Sequence, residues 1–169
     1  MQRPTPTQSE IQLNSDDFIV SKTALDGRII YGNKIFIKMS GYDEKELLYA
    51  EHSILRHPDM PKIIFKLLWD RIRNKQEIFA YVKNLTKDGS FYWVYANVTA
   101  TLDTNDSIRD FHSVRRKPSA KAMAVIPALY AQLLSAERSS GIDASAKLLD
   151  KILTEKGVDY DEFVLSLQQ

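Results

Sequence analysis

Arg56, His57 and Asp59 bring a cation, an imidazole and a carboxylate together within four residues, in the run Leu55-Arg56-His57-Pro58-Asp59-Met60-Pro61. The two prolines fix φ at their own positions and push the residues before them out of helix, so the polar side chains are set in a stiff turn. Beyond it Phe65, Leu68 and Trp69 recur three and four residues apart, which places them on one face of a helix beginning near Asp59 or Pro61. A rigid polar turn feeding an aromatic helix face would wall a flat ligand with polar edges. The same spacing also describes a plain core helix, with Arg56 and Asp59 capping and stapling it and Phe65 and Trp69 packed inside. His57 and Asp59 as an acid–base pair are too thin a basis for catalysis, and no enzyme is expected.

Composition removes most other chemistry. The 169 residues are 44% hydrophobic and 27% charged, with 23 basic against 22 acidic side chains, a globular balance that points to neither nucleic acid nor an anionic membrane surface. Cysteine is absent and only His52, His57 and His112 could serve a metal, so thiol catalysis, iron–sulfur clusters and an ordinary zinc site fall away. With 6 glycines there is no phosphate-binding or dinucleotide glycine loop. No Ser/His/Asp arrangement or HExxH pair stands out, and redox chemistry would need a bound cofactor. No apolar run approaches the roughly twenty residues of a membrane span, and MQRPTPTQSE lacks the hydrophobic region of a signal peptide, so a cytoplasmic chain without direct membrane insertion is expected.

The elements that must position the turn follow in order. Residues 1–15 are rich in Pro, Thr, Gln and Ser and read as a flexible lead, ending in a short helical or extended piece around Ile11 and Leu13. Phe18 to Thr23 and Arg28 to Tyr31 read as a hairpin across a two-residue Asp26-Gly27 turn. Asn33 can cap a helix ending at Gly41, and Asp43 a second through Leu47. After the polar turn and its helix come strands at Phe79–Leu85, Phe91–Thr99 and Ile108–Arg115, the first two joined through Asp88-Gly89. Two strands, several short helices, then three strands imply an α+β domain, an antiparallel sheet with helices gathered to one side. From Pro118 the pattern turns helical: a helix with Pro127 in its first turn, a second over Asp143 to Lys156 stopped by Gly157, and a third from Asp159. The expected division is a lead over 1–15, a sensor domain over 16–117 and a helical extension over 118–169. The stripe of Val125, Leu129 and Leu133 is wider than a small helical hairpin can bury, so the extension is expected to pack beside the sheet and to take part in self-association or docking, with Leu129 and Tyr130 central.

The segment DGRIIYGNKIFIKMSGYDEKEL, with its DG turn, Asn, aromatic residue and GY, resembles the opening of a PAS domain, whose fold is a five-stranded antiparallel sheet with short helices on one side. More specifically, ILRHPDMPKIIFKLLW together with VKNLTKDGSFYWVYANV is similar to the PAS domains of the Aer-type redox and energy-taxis receptors, over about residues 16–117. The resemblance implies non-covalently bound FAD whose redox state is read out as a signal. It implicates Asn33, Arg56, His57, Asp59, Phe65, Trp69 and Asn84 in holding the flavin, while Trp93 and Asn97 belong to the same signature. Within the family the arrangement is most similar to the stand-alone CetB type of bipartite energy-taxis systems, which implies a homodimer working in trans with a membrane-bound chemoreceptor of the CetA type. The Trp-x-Gly usual before the VKN strand reads Ile78-Phe79-Ala80 here, which reshapes that end of the pocket. Two alternatives remain beside the flavin sensor: a PAS domain binding haem, with His57 as axial ligand, or another small ligand; and a cofactor-free dimerisation module whose pocket is filled by Phe65, Trp69 and their neighbours.

Overall fold

A computed structural model describes residues 3–169; residues 1 and 2 of the lead lie outside it. Five strands form one antiparallel sheet in the order β2-β1-β5-β4-β3, from β1 (Ile19–Thr23), β2 (Ile29–Gly32), β3 (Ile78–Leu85), β4 (Phe91–Leu102) and β5 (Ile108–Arg116). Between β2 and β3 run α1 (Lys34–Ser40), α2 (Glu44–Leu47), a 3-10 turn over His52–Leu55 and α3 (Lys62–Arg73). Then come α4 (Ala120–Ser140), α5 (Ile142–Lys156) and α6 (Tyr160–Leu167). Among the described residues no helix is long and apolar enough to cross a membrane.

The DG dipeptides make three-residue loops rather than the two-residue turn expected at Asp26-Gly27. Ala24 and Arg28 close the first, with Gly27 N–H donating to the Ala24 carbonyl and Ala24 N–H to that of Arg28. Thr86 and Ser90 close the second around Asp88-Gly89 in the same way, and Asp103 and Ser107 the third. This is the bonding of a turn followed by a left-handed residue and a bulge, and that residue is Gly27 (φ +84°), Gly89 (φ +88°) or Asp106 (φ +61°). Asn33 caps α1, accepting from Phe36 N–H at 3.0 Å, and Gly41 ends that helix in the left-handed region.

Register sorts the side chains of β3 and β4. Val82, Asn84, Ala96 and Val98 face α3; Phe79, Tyr81, Lys83, Trp93, Tyr95 and Asn97 face the other way. The second face carries an aromatic row, with Phe79 and Tyr95 stacked at 5.5 Å and Tyr81 beside Tyr95 at 5.1 Å. α4 and α6 meet this row and the edge of β3, and α5 packs on α4 and α3. Tyr130 packs on Trp93 with ring centroids 5.9 Å apart. Three carbonyls on the free edge of β3 receive donors from outside the sheet: Phe79 from the Tyr160 hydroxyl at 2.8 Å, Tyr81 from the Tyr130 hydroxyl at 2.7 Å, and Lys83 from His57 N–H at 3.3 Å. Burial holds the phenols of Tyr130 and Tyr160 well above their ordinary range, so both stay O–H donors.

Three expectations change. Leu129, Tyr130 and Leu133 are buried inside the chain rather than exposed on its surface, because α4 packs along α5 and α3 while Tyr130 reaches the edge of β3 and Trp93. Pro127 lies in the interior of α4, since Ser119 starts the helix earlier by accepting from Ala122 N–H. It faces solvent, so the cost is confined to the bond that Met123 would have received. The lead, read as flexible, runs in extended form beside the start of β4, with Thr7 and Ile11 N–H donating to Gly89 and Phe91 carbonyls at 2.8 Å each and Leu13 buried. A strand end with open backbone groups gives it something to bond.

Tyr130→Phe is expected to destabilise the chain by about 1–3 kcal/mol in urea titration, because it leaves the buried Tyr81 carbonyl without its donor while keeping the ring. An unchanged midpoint would show that this edge carbonyl is otherwise satisfied.

Candidate functional site

A cavity of about 260 Å³ lies between the inner face of the sheet and α3. α3 presents Phe65, Leu68, Trp69 and Ile72 to it, as the three- and four-residue spacing requires. The sheet supplies alternate residues: Ser21 and Thr23 from β1, Val82 and Asn84 from β3, Ala96 and Val98 from β4, and Phe111, Ser113 and Arg115 from β5. Asp26 and Gly27 of the first hairpin loop and Glu51 to Ser53 border it as well. Trp69 is held from several sides: Phe111 meets it edge-on at 5.4 Å, the Arg73 guanidinium lies 5.0 Å from its ring, and Gly27 abuts the indole.

The polar turn straddles the edge of β3. Arg56 bridges to Asn84 in antiparallel fashion, and its side chain lines the cavity with the guanidinium 3.7 Å above the Phe65 ring. His57, one residue on, points to the other side, buried against Phe91 at 5.9 Å, its Nδ1 accepting from Asp59 N–H at 3.0 Å. The Asp59 carboxylate pairs with the Lys83 ammonium at 2.8 Å, and that bond, with the charges of Lys83 and Arg138, keeps it below the usual carboxylate range despite its partial burial. Successive residues beside a strand point to opposite faces, so a turn docked on an edge cannot send both Arg56 and His57 into one cavity.

Of the seven residues implicated from sequence, the structure therefore brings Arg56, Phe65, Trp69 and Asn84 together around the cavity. Asn33 is elsewhere: it caps α1, and its Nδ2 donates to the Phe18 carbonyl at 2.8 Å. His57 and Asp59 sit on the far side of the β3 edge. Trp93 and Asn97 face the C-terminal helices and solvent, with Asn97 donating to Glu77 at 3.1 Å. Nor does Asp59 cap α3, as a core-helix reading of the turn would have it. The cap is Glu137 of α4, whose carboxylate accepts from Lys62 N–H at 2.9 Å and Ile63 N–H at 2.8 Å.

The sequence reading missed the polar floor. Arg115 is 3% exposed and donates to the Ser21 hydroxyl, while its Nη1 lies 3.4 Å from His52 Nε2 and its guanidinium 5.0 Å from the Phe36 ring. Among the described residues neither Arg115 nor Arg56 makes an ion pair. Desolvation lowers Arg115 to about 10, still cationic at neutral pH. His52 stacks on Phe36, and desolvation with the Arg115 and Arg56 charges pushes it down to about 3, so it is neutral. Arg56 Nε, Arg115 Nε and Asn84 Nδ2 are buried without a hydrogen-bond partner. Around this cavity the protein has more donors than acceptors, and a flat aromatic group rich in carbonyl oxygens and ring nitrogens fits that deficit. A volume of about 260 Å³ is below the roughly 300–1,000 Å³ of sites that engulf drug-sized ligands, so it encloses a ring system rather than a whole dinucleotide.

Comparison with known proteins agrees with this geometry. The family described as PAS fold matches residues 29–115. The chain is 34% identical over 137 residues to the aerotaxis receptor of Escherichia coli (strain K12), covering 81% of this chain and 27% of that protein. It is 25% identical over 97 residues to the nitrogen fixation regulatory protein of Klebsiella oxytoca, 57% of this chain and 20% of that one. The chain thus spans less than a third of the length of these relatives. Among solved structures it is similar to a light-oxygen-voltage domain studied with a flavin analogue, with a TM-score of 0.57 at 21% identity, covering 64% of this chain and 82% of that one. It is also similar to the LOV domain of a blue-light activated histidine kinase from Erythrobacter litoralis EL346, with a TM-score of 0.55 at 21% identity, covering 59% and 94%. At such identities these two likenesses speak for the fold alone.

The neutral floor histidine has a pH signature. Its folded value, about 3, lies below the 6.5 of the free side chain, so below about pH 6.5 the unfolded chain takes up a proton that the native chain refuses. Stability contributed above pH 6.5 is lost as the pH falls toward 3, at up to ~1.4 kcal/mol per pH unit. His52→Gln is expected to flatten this limb in denaturant titrations between pH 6.5 and about 4, and parallel curves for wild type and variant would contradict a neutral, desolvated His52.

Proposed function

The chain belongs to the PAS fold family, and from that premise we propose that it is a non-enzymatic, cytoplasmic redox sensor that binds FAD non-covalently and signals in energy taxis. One observation carries the reading: the cavity has an aromatic wall on one side and, on the other, buried donors that the protein leaves without acceptors. The 34% identity to the aerotaxis receptor supports the taxis assignment, and the architecture shared with the light-oxygen-voltage domain studied with a flavin analogue is compatible with the cofactor.

A bound flavin supplies reversible electron and proton uptake at its ring nitrogens. The chain's own residues do the rest. Trp69 and Phe65 offer aromatic surfaces along one side of the ring system, with Trp69 fixed by Phe111, Gly27 and Arg73. Asn84 both donates and accepts, so it can answer a change in protonation by turning its amide. Arg115 and Arg56 hold positive charge where extra electron density would arrive, and His52, neutral and hydrogen-bonded to the floor, can accept a proton once negative charge is added beside it. Ser21 anchors Arg115 at the floor.

Two other readings lose their stated footing. His57, the proposed axial ligand for haem, does not line the cavity, and Phe65 and Trp69 border an open volume instead of filling it, as a cofactor-free module would need. For signalling, the reading keeps a membrane-bound chemoreceptor of the CetA type in trans and a homodimer. Any such association uses a surface other than Leu129 and Tyr130, which are buried.

The visible spectrum of purified protein, before and after reduction, tests the reading. Flavin absorbance that bleaches on reduction is expected, and colourless protein that stays colourless after incubation with FAD would exclude it. Trp69→Ala and Asn84→Ala are each expected to stay folded and to weaken flavin affinity about tenfold or more, given the ~1–3 kcal/mol of the contacts removed. Wild-type affinity and stoichiometry in both variants would mean that the flavin lies elsewhere.

A further inference from the structure

α3 has two working faces. One lines the cavity with Phe65, Leu68, Trp69 and Ile72. The other is fastened to the C-terminal helices by polar contacts at both ends. At its start Glu137 of α4 accepts both free N–H groups of Lys62 and Ile63, and the same carboxylate receives the Ser145 hydroxyl of α5 at 2.9 Å. Near its end Arg71 makes a two-pronged bond to Asp161 of α6, at 2.6 and 2.7 Å, with its guanidinium 5.4 Å from the Tyr160 ring. Tyr160 is the residue that also closes the edge of β3 at Phe79. Pro61, in the cap position, provides no side-chain acceptor, so α3 depends on a residue 74 positions downstream of Ile63 to satisfy its first turn.

We propose that α4–α6 form a clamp that reads the contents of the cavity through α3, with Glu137 as the positioning residue that couples the two. Charge-assisted bonds at a helix terminus are directional, so a small shift or rotation of α3 against a bound ring system breaks or tightens them, whereas an apolar contact would slide. Loading the cavity therefore tightens the docking of α4–α6, and by reciprocity docking tightens the cavity. The proposal rests on the flavin reading above only for the identity of the ligand.

Hydrogen–deuterium exchange on the full chain, flavin-free, loaded with FAD, and loaded then reduced with dithionite, tests it. Exchange rates in residues 120–167 are expected to change by roughly fivefold or more between at least two of these states, and Glu137→Ala should abolish the difference while FAD stays bound and Glu137→Gln should retain part of it. FAD that binds without any change in α4–α6 overturns the clamp and leaves the flavin reading intact. Should the chain take up no flavin, that reading fails, and the clamp is judged in flavin-free protein by Trp69→Ala, which alters only the cavity face of α3. Faster exchange in α4–α6 with β1 and β2 unchanged, lost in the Glu137→Ala background, then supports the clamp, and unchanged α4–α6 overturns it.

Discussion

An antiparallel sheet has to do something about its edge strands, and much of this molecule is a response to the edge at β3. A free edge presents a row of unpaired carbonyl and N–H groups that will pair with any strand that comes near. Here that row is closed from several directions at once. Tyrosines of α4 and α6 take the carbonyls of Phe79 and Tyr81, and the polar turn takes that of Lys83 through His57, while Lys83 N–H meets the Met60 sulfur at 3.2 Å. The polar turn is anchored in the process. Once it lies along the edge, Arg56 falls on the cavity side, His57 on the other, and α3 has to start where Glu137 can reach it.

Local pattern carried the fold a long way. Alternating apolar residues, three loops with turn residues and the Asn33 and Gly41 caps are local signals, and they correspond to β1–β5 and α1 within a residue or two, except that β4 runs three residues past Thr99 to Leu102. What local pattern could not carry was partner choice over distance. The width of the apolar stripe on α4 is written in Ile126, Leu129, Tyr130 and Leu133, but that Tyr130 meets its own sheet depends on Trp93 and on the Tyr81 carbonyl, 49 residues earlier. A tyrosine reads as apolar in a periodicity count, whereas Tyr130 and Tyr160 matter here as hydroxyl donors to main chain.

The site was legible in its walls and not in its floor. Phe65 and Trp69 announce themselves through helical spacing, and Arg56 through its company in the turn. Arg115 looked like an ordinary strand-end cation, and Ser21, Thr23 and Ser113 like ordinary strand residues. A signal was present all the same: the inward phase of β1 and β5 carries Ser21, Thr23 and Ser113 among Ile19 and Phe111, where a filled core would have bulky side chains throughout. For His57 and Asp59 local pattern was not enough, because only the docked geometry of the turn decides which side of the β3 edge each residue takes.

The floor also sets when a ligand can first be held. Arg115 and Ser21, which meet there, stand 94 residues apart in the chain, and β1 pairs with β5 rather than with a neighbour in sequence other than β2. Bringing residues so far apart together carries a loop-closure cost, and the floor exists only where β1 and β5 are paired. A ligand bound only by the assembled floor would add a mass-action gain in stability that grows with its concentration.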